Sequence, residues 1–214
     1  TRFIVSELKS TKYRLFPSLL YHAPFLNQQE CEMYVKSLET IKIESSSFNN
    51  DFYQTTDKLH LLNDMWKGLS DKVIKVIESI ADDQCIMRDS FYTTGMWANI
   101  AAGAAKGYFH KTHTHPNSFF SAIIYLKGSK PSSTVFYDPR PQVGIFSPSV
   151  SEDTFFNSGG FKLSFIEGSI AIFPSWLSHC VAADESDDNR NRISISCNSM
   201  LHSEINTYTS YLKI

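Results

Sequence analysis

Two stretches in the first part of the chain carry apolar residues at helical spacing. Asn27 and Glu30 form a typical helix start, with Asn as N-cap and Glu at the third helical position, and this helix is expected to run to about Ile41. A stronger pattern runs from 62 to 81, where apolar residues recur at three- and four-residue steps: Leu62, Trp66, Leu69, Val73, Val76, Ile77 and Ile80. An apolar face this wide predicts a helix that packs on a sheet.

After Asp83 the pattern changes to short apolar and aromatic runs separated by Gly, Pro, Ser and Asn. These runs predict strands near 86–93, 95–101, 107–113, 118–127, 134–138, 161–166, 169–173, 178–183 and 192–199. Many short strands at this spacing favour a β-sandwich or barrel over a doubly wound α/β fold. The polar segment IESSSFNNDFYQTTD (43–57) is expected to be a loop, and 139–160 a long irregular insertion. This insertion and the loop at 44–58 are expected to shape a binding pocket.

The length of 214 residues fits one domain. We expect an N-terminal strand and packing helices in 1–84, the β core in 85–200, and a last strand or packed tail in 201–214. An entering strand or extended segment is expected before residue 27. Exposed sheet edges could pair two copies into a dimer, and the sequence leaves the oligomeric state open.

Composition narrows the class of protein. The net charge of −2 gives no basic footprint for nucleic acid, and no apolar run approaches the ~20 residues of a membrane span. The early charges of the N-terminal segment are unlike a secretory signal. Four scattered cysteines without a C-x-x-C motif argue against a disulfide framework: Cys31, Cys85, Cys180 and Cys197. We therefore expect a cytoplasmic protein.

Three histidines lie within six residues, at His110, His113 and His115. Side chains of a strand alternate faces, so His113 and His115 are expected to point to one side and His110 to the other. Two imidazoles on one strand face make a pair of metal ligands, since neutral imidazole suits Fe, Zn, Cu and Ni. His179, in FPSWLSHCV, is the best candidate for a third ligand.

Arg192 follows His179 by thirteen residues, across an acidic, polar turn. The two residues are therefore expected on neighbouring antiparallel strands, with the guanidinium near the metal. A buried Arg needs an anion, and its planar fork matches a carboxylate. A dicarboxylate that chelates the metal at one end and meets Arg192 at the other satisfies both. Ser194 shares the face of Arg192, and Tyr125 could donate its phenol to the same carboxylate.

Three blocks in order carry a family resemblance: HTHPNSFFSAIIYL, YDPRP and FPSWLSHCVAADESDDNRNRISISCN. Together, over roughly residues 85–200, they resemble the 2-oxoglutarate/Fe(II)-dependent oxygenases of bacteria and phages, relatives of the prolyl hydroxylases. The resemblance implies a mostly β fold with two N-terminal helices, built as a double-stranded β-helix or jelly roll. It implies that His113, His115 and His179 ligate Fe(II). It also implies that Arg192 and Ser194 hold the distal carboxylate of 2-oxoglutarate, assisted by Tyr125 and Asn99.

The implied reaction is a dioxygenase reaction, a hydroxylation coupled to decarboxylation of 2-oxoglutarate to succinate. The substrate beyond 2-oxoglutarate and O₂ is not encoded in any motif of the chain. One departure from the family pattern concerns the ligands, because the wider superfamily uses two His and one carboxylate and here His115 stands at the carboxylate position. Asp138 in YDPRP is an alternative carboxylate ligand. The three-His set also leaves open a cupin-like metalloenzyme that does not use 2-oxoglutarate, or a metal-binding jelly-roll domain without turnover.

Overall fold

Two antiparallel sheets and two helices form the body of the computed structural model, which describes residues 11, 13–45, 52–101, 110–128, 133–146, 148–154, 156–181, 192–206 and 210–214. The helices are α1 (Gln28–Ser37) and α2 (Asp64–Asp83). Short 3₁₀ helices span Leu38–Thr40, Leu59–Leu61 and Pro141–Ile145. None of the helices in these residues is long and apolar enough to cross a membrane.

The strands divide between a seven-stranded sheet, a four-stranded sheet and a C-terminal hairpin. They are β1 (Tyr21–Pro24), β2 (Ile43–Ser45), β3 (Phe52–Thr55), β4 (Ser90–Ala101), β5 (His110–His113), β6 (Phe120–Lys127), β7 (Ser133–Tyr137), β8 (Gly160–Ser164), β9 (Ser169–Pro174), β10 (His179–Val181), β11 (Arg192–His202), β12 (Glu204–Asn206) and β13 (Tyr211–Lys213). The large sheet has the order β1-β9-β6-β11-β4-β3-β2 and the smaller one β5-β10-β7-β8, while β12 pairs with β13.

Alternation along β11 explains how the large sheet separates core from site. Ile193, Ile195 and Cys197 are buried in the core cluster that also contains the apolar faces of α1 and α2. The intervening Arg192, Ser194 and Ser196 are also buried, but they point to the opposite face and line a cavity between the two sheets. The RISIS pattern therefore places apolar side chains under the helices and polar ones toward the second sheet.

The two sheets pack face to face over a second apolar cluster. Ile123, Tyr125 and Phe173 of the large sheet pack against Phe136 and Leu163 of the small one. This arrangement confirms the prediction of a mostly β protein with two N-terminal helices, built as a double-stranded β-helix. The cavity between the sheets lies beside this cluster, because Ile123 belongs to both.

Both predicted helices are present, with small differences at their ends. In the capping box of α1, the Glu30 backbone N–H donates to Asn27 Oδ1 at 3.0 Å and the Asn27 N–H donates to Glu30 Oε2 at 2.8 Å. This helix ends at Ser37 and continues as a 3₁₀ turn rather than reaching Ile41 as an α-helix. In α2 most of the predicted apolar face is buried, whereas Val76 is half-buried and Leu62, which precedes the Asn63 cap, is 47% exposed.

The prediction of a loop over 43–57 was wrong in part. Strands β2 and β3 lie within it, and β3 pairs with the edge of β4 through Phe52 with Ala101 and Gln54 with Asn99. Pairing with a distant strand stabilises an extended segment that has little apolar periodicity of its own. Residues 46–51 of this segment lie outside the described residues.

Several other predicted boundaries shifted. The strands expected at 86–93 and 95–101 form one strand, β4, with a bulge at Thr94, because Thr93 pairs with Ser199 and Gly95 with Asn198. In the described residues of the insertion at 139–160, a 3₁₀ helix is the one regular element before β8 begins at Gly160. The predicted strand ends at 107–109 and 182–183 and the turn at 182–191 lie outside the described residues.

Gly168→Ala is expected to destabilise the fold by about 2 to 4 kcal/mol. Gly168 has a φ of +77°, and a Cβ there would lie 2.3 Å from the Leu26 carbonyl oxygen. Its own carbonyl accepts hydrogen bonds from the backbone N–H groups of Phe25 and Leu26, each at 2.8 Å, so a shift of the backbone would weaken these hydrogen bonds. Urea denaturation measures the change in unfolding free energy.

Gly68→Ala is the matched control. Gly68 lies on the exposed side of α2, where an added Cβ meets nothing within 4 Å. This change is expected to stabilise the protein by about 0.5 to 1 kcal/mol. Equal effects of the two substitutions would contradict the assigned strain at Gly168.

Candidate active site

Two of the predicted site histidines meet because their strands pair. His113 at the end of β5 lies opposite His179 at the start of β10, and their ring centroids are 4.4 Å apart. Nδ1 of His113 lies 2.7 Å from the Lys111 carbonyl, and Nδ1 of His179 lies 3.0 Å from the Leu177 carbonyl. A carbonyl can only accept, so each Nδ1 carries a proton and donates it. In the neutral rings both Nε2 atoms therefore keep a lone pair.

His115 completes the group from the segment that follows β5. Its backbone N–H donates to the Ser175 carbonyl at 2.9 Å, which ties this segment to the turn before His179. Its Nε2 lies 3.3 Å from Nε2 of His179. One ring nitrogen from each of His113, His115 and His179 lies within 4.8 Å of the other two. The three donors therefore converge closely enough to share one metal ion.

Burial keeps these imidazoles neutral. The pKa of His115 is lowered to about 3 and that of His179 to about 4, mainly by desolvation, and the neighbouring imidazoles contribute to both shifts because each disfavours a positive charge beside it. Desolvation also lowers the pKa of His113. The ring nitrogens are therefore available as metal ligands at neutral pH.

His110 lies on the same side as the triad, so the expectation that it points away was wrong. His113 pairs with His179 whereas His110 pairs with Val181, so three residues of β5 span two of β10. This irregularity turns the His110 ring back toward His113, at a centroid distance of 4.3 Å. The cluster of three histidines in six residues was the only sequence signal for this fourth imidazole.

Arg192 and Ser194 line the same cavity as the histidines. Both are buried, and Arg192 Nη1 donates to Ser194 Oγ at 3.4 Å. The guanidinium of Arg192 lies over the ring of Phe165, and the distance from Arg192 Cζ to the ring centroid is 5.5 Å. The expectation that His179 and Arg192 lie on neighbouring antiparallel strands was wrong, because β10 belongs to the small sheet and β11 to the large one. The two residues nevertheless line one cavity, since the two sheets pack face to face.

Asn99 is buried in the cavity wall, at the centre of a polar network. Its Oδ1 accepts from Gln54 Nε2 at 2.8 Å and from Trp97 Nε1 at 3.2 Å, and its Nδ2 donates to Ser196 Oγ at 2.9 Å. Sequence reasoning missed Gln54, because the residue falls in a segment that resembles a loop. Its place follows from the pairing of β3 with β4, for which the local sequence gives no signal.

Tyr125 is fully buried within the second apolar cluster and is not among the residues that line the cavity. It is the Cα partner of Ser194 across the sheet, and its hydroxyl is 2.8 Å from Thr134 Oγ1. The Tyr125 ring also makes an edge contact with Phe165 at 4.9 Å. Burial raises the pKa of Tyr125, so the phenol keeps its proton.

Asp138, the alternative carboxylate ligand, is engaged elsewhere. Its Oδ2 lies 2.6 Å from Arg140 Nη2, and its Oδ1 accepts from the Arg140 backbone N–H at 2.9 Å. Arg140 holds the pKa of this carboxyl below its ordinary value. Asp138 is not part of the group of converging ligand atoms found among the described residues.

Residues 95–198 match the family model described as "Putative 2OG-Fe(II) oxygenase". By this match, residues 95–198 belong to the 2OG-Fe(II) oxygenase family. The match contains every residue of the candidate site except Gln54, which precedes it. Comparison with curated protein sequences found no match.

Solved structures share the fold of this 2OG-Fe(II) oxygenase at low sequence identity. A 2OG-Fe(II) oxygenase family oxidoreductase from Burkholderia pseudomallei has 13% identity and a TM-score of 0.59, covering 84% of this chain and 83% of its own. The α-ketoglutarate-dependent epimerase SnoN from nogalamycin biosynthesis has 13% identity and a TM-score of 0.63, covering 90% and 83%. A prolyl-4-hydroxylase from Pseudomonas putida has 12% identity and a TM-score of 0.58, covering 85% and 92%.

Fe(II) and 2-oxoglutarate are the cofactor and co-substrate of this family enzyme. The residues present fit both groups. Three neutral imidazoles suit Fe(II) as donors, and a buried guanidinium beside a serine hydroxyl suits a carboxylate. Because the imidazoles contribute no negative charge, an anionic co-substrate also compensates the charge of a divalent ion.

Proposed function

We propose that this oxygenase is a hydroxylase that holds Fe(II) with His113, His115 and His179 and anchors 2-oxoglutarate with Arg192 and Ser194. The observation that carries the proposal is the single cavity lined by both groups. With both groups bound, the chemistry supplied is oxidation of a C–H bond by O₂, coupled to decarboxylation of 2-oxoglutarate to succinate. The chain itself binds, orients and screens the reactants from water.

The geometry of the histidines supports a shared metal ion. Two nitrogens bound to one metal at about 2.1 Å lie about 3.0 to 3.4 Å apart, depending on the coordination angle. Nε2 of His115 and Nε2 of His179 are 3.3 Å apart. The carbonyls of Lys111 and Leu177 fix the orientation of two of the rings. Such hydrogen bonds to Nδ1–H are the usual support of a metal-binding histidine.

The role of Arg192 follows from its burial and its neighbours. A buried guanidinium fits an anionic ligand, and Ser194 Oγ at 3.4 Å adds a neutral donor and acceptor beside it. Tyr125, which keeps its phenolic proton, lies behind them and is proposed to donate to the same carboxylate. Asn99 is proposed to stabilise the adjoining wall of the cavity through its hydrogen bonds with Gln54, Trp97 and Ser196.

The first test is titration of 2-oxoglutarate into anaerobic, Fe(II)-loaded protein, with metal-free protein as the control. Metal-dependent binding in the micromolar range is expected, followed by succinate release when O₂ is admitted. If the protein binds Fe(II) but the titration of 2-oxoglutarate gives no heat of binding, this result would contradict the assignment. That outcome would favour a three-His metalloenzyme that does not use 2-oxoglutarate, or a domain without turnover.

Labelled oxygen separates hydroxylation from the other reactions of this fold. The prolyl-4-hydroxylase that shares the fold makes proline-containing peptides the first substrates to try. Under ¹⁸O₂ a hydroxylated product gains one ¹⁸O atom, detectable by mass spectrometry. A product with the same mass as its substrate would instead indicate epimerisation, as the name of SnoN describes for that enzyme.

Gly128→Ala is expected to raise the Kd for 2-oxoglutarate about 3- to 10-fold while iron binding is unchanged. A Cβ at Gly128 would lie 3.0 Å from Phe165 Cζ, so the Phe165 ring has to move. That ring supports the Arg192 guanidinium. Titration of 2-oxoglutarate measures the effect. Gly144→Ala, where an added Cβ meets nothing within 4 Å, is the control. Equal Kd values for both variants would contradict a positioning role of Phe165.

A further inference from the structure

His110 lines the cavity, but its imidazole is neither one of the three proposed metal ligands nor part of the Arg192 site. The irregular pairing of β5 with β10 turns its ring into the cavity, against the alternation of a regular strand. Bulges of this kind re-aim a side chain and are common beside active sites. The contacts of the His110 ring therefore indicate what this irregular pairing does.

The His110 ring connects the two sheets at one end of the cavity. On one side it lies 4.3 Å from the His113 ring, and on the other it lies 5.6 Å from Phe52 of β3, both measured between ring centroids. Phe52 pairs with Ala101, and Ala101 pairs with Arg192. His110 is thus placed between the metal-ligand candidates and the strand position of Arg192.

The residues that line the cavity agree with this position. His110 lines the same cavity as His113, His179 and Arg192. An imidazole carries at least one N–H donor whether it is neutral or protonated.

We propose that His110 contacts bound 2-oxoglutarate directly and donates a hydrogen bond to one of its carboxylates. The inference rests on the proposed function, because it takes the triad and Arg192 as the two ends of the co-substrate site. A molecule that reaches from the triad to Arg192 passes the wall that His110 forms. An N–H donor there adds a neutral hydrogen bond to the ionic contact made by Arg192.

Three variants test the inference. His110→Phe keeps a ring against Phe52 but removes the donor, and His110→Gln restores a donor on a flexible side chain. His202→Phe is the matched control, because His202 is exposed and stacks on Tyr92 at a centroid distance of 4.3 Å, outside the cavity. Each protein is loaded anaerobically with Fe(II), its iron content is measured, and 2-oxoglutarate is titrated calorimetrically.

His110→Phe is expected to raise the Kd for 2-oxoglutarate about tenfold, with one iron per chain retained. His110→Gln is expected to recover most of the affinity, and His202→Phe to match the wild type. An unchanged Kd in His110→Phe overturns the inference, and so does loss of iron, which would make His110 a metal ligand. If His110→Phe does not fold, His110→Ala replaces it, and the same outcomes support or overturn the inference.

The outcomes also separate this inference from the function on which it rests. Absence of 2-oxoglutarate binding to the iron-loaded wild type would reject the proposed function itself. Wild-type binding that depends on Arg192 but not on His110 would reject only the role of His110.

Discussion

Arg192→Ala is expected to raise the Kd for 2-oxoglutarate at least about 30-fold, because truncating one partner of a buried charge pair costs about 2 to 5 kcal/mol. The guanidinium is buried in the cavity and held by Phe165 on one side and Ser194 on the other. Arg192→Lys keeps the charge but loses the planar fork, so an increase of only about tenfold is expected. Calorimetric titration of the iron-loaded proteins measures both values.

Changing the ligand provides a control for the Arg192 prediction that does not depend on the fold of a variant. 2-Oxobutyrate carries the same 2-oxo acid group as 2-oxoglutarate but lacks the distal carboxylate. Wild-type protein is expected to bind it as weakly as Arg192→Ala binds 2-oxoglutarate, and the variant should not distinguish the two ligands. A variant that still prefers 2-oxoglutarate by a large factor would show that another group recognises the distal carboxylate. Iron content and melting temperature confirm that the metal site and fold survive.

Local patterns predicted those parts of the molecule that depend on periodicity. The apolar face of α2 and the alternation of β11 are both visible in the sequence, since neighbours along one element decide which side chains share a face. The same reasoning placed His113 and His115 on one side and Arg192 and Ser194 on one face. The prolyl-hydroxylase-like resemblance supplied the double-stranded β-helix and the cofactors, which periodicity alone does not specify.

The features that were missed depend on pairing between distant segments. Gln54 reaches Asn99 only because β3 pairs with the edge of β4. His110 enters the cavity only because three residues of β5 span two of β10. Bulges and edge pairing depend on the tertiary structure, so the positions of these two side chains cannot be predicted from residue spacing along the chain. His110 lines the cavity, and Gln54 reaches the cavity wall through its hydrogen bond to Asn99.

His179→Ala is expected to lower Fe(II) affinity by more than about 100-fold, because loss of a hydrogen-bonded neighbour of a ligand alone costs 10- to 100-fold. His179 is 2% exposed and lies against both partners, with its Nε2 3.3 Å from that of His115 and its ring centroid 4.4 Å from that of His113. Two remaining imidazoles hold a divalent ion poorly. Equilibrium dialysis of anaerobic protein against Fe(II) measures the affinity directly.

His202→Ala is the control for the effect of His179, since His202 is an exposed histidine at the far end of β11. It should bind Fe(II) as the wild type does. His115→Asp provides a second comparison, because it converts the three imidazoles into two imidazoles and a carboxylate, the set that the wider superfamily uses. We expect this variant to retain Fe(II) where His115→Ala loses it. Equal iron binding in His179→Ala and His202→Ala would show that the metal is held elsewhere, and the assignment of the triad would then fail whatever the behaviour of Arg192.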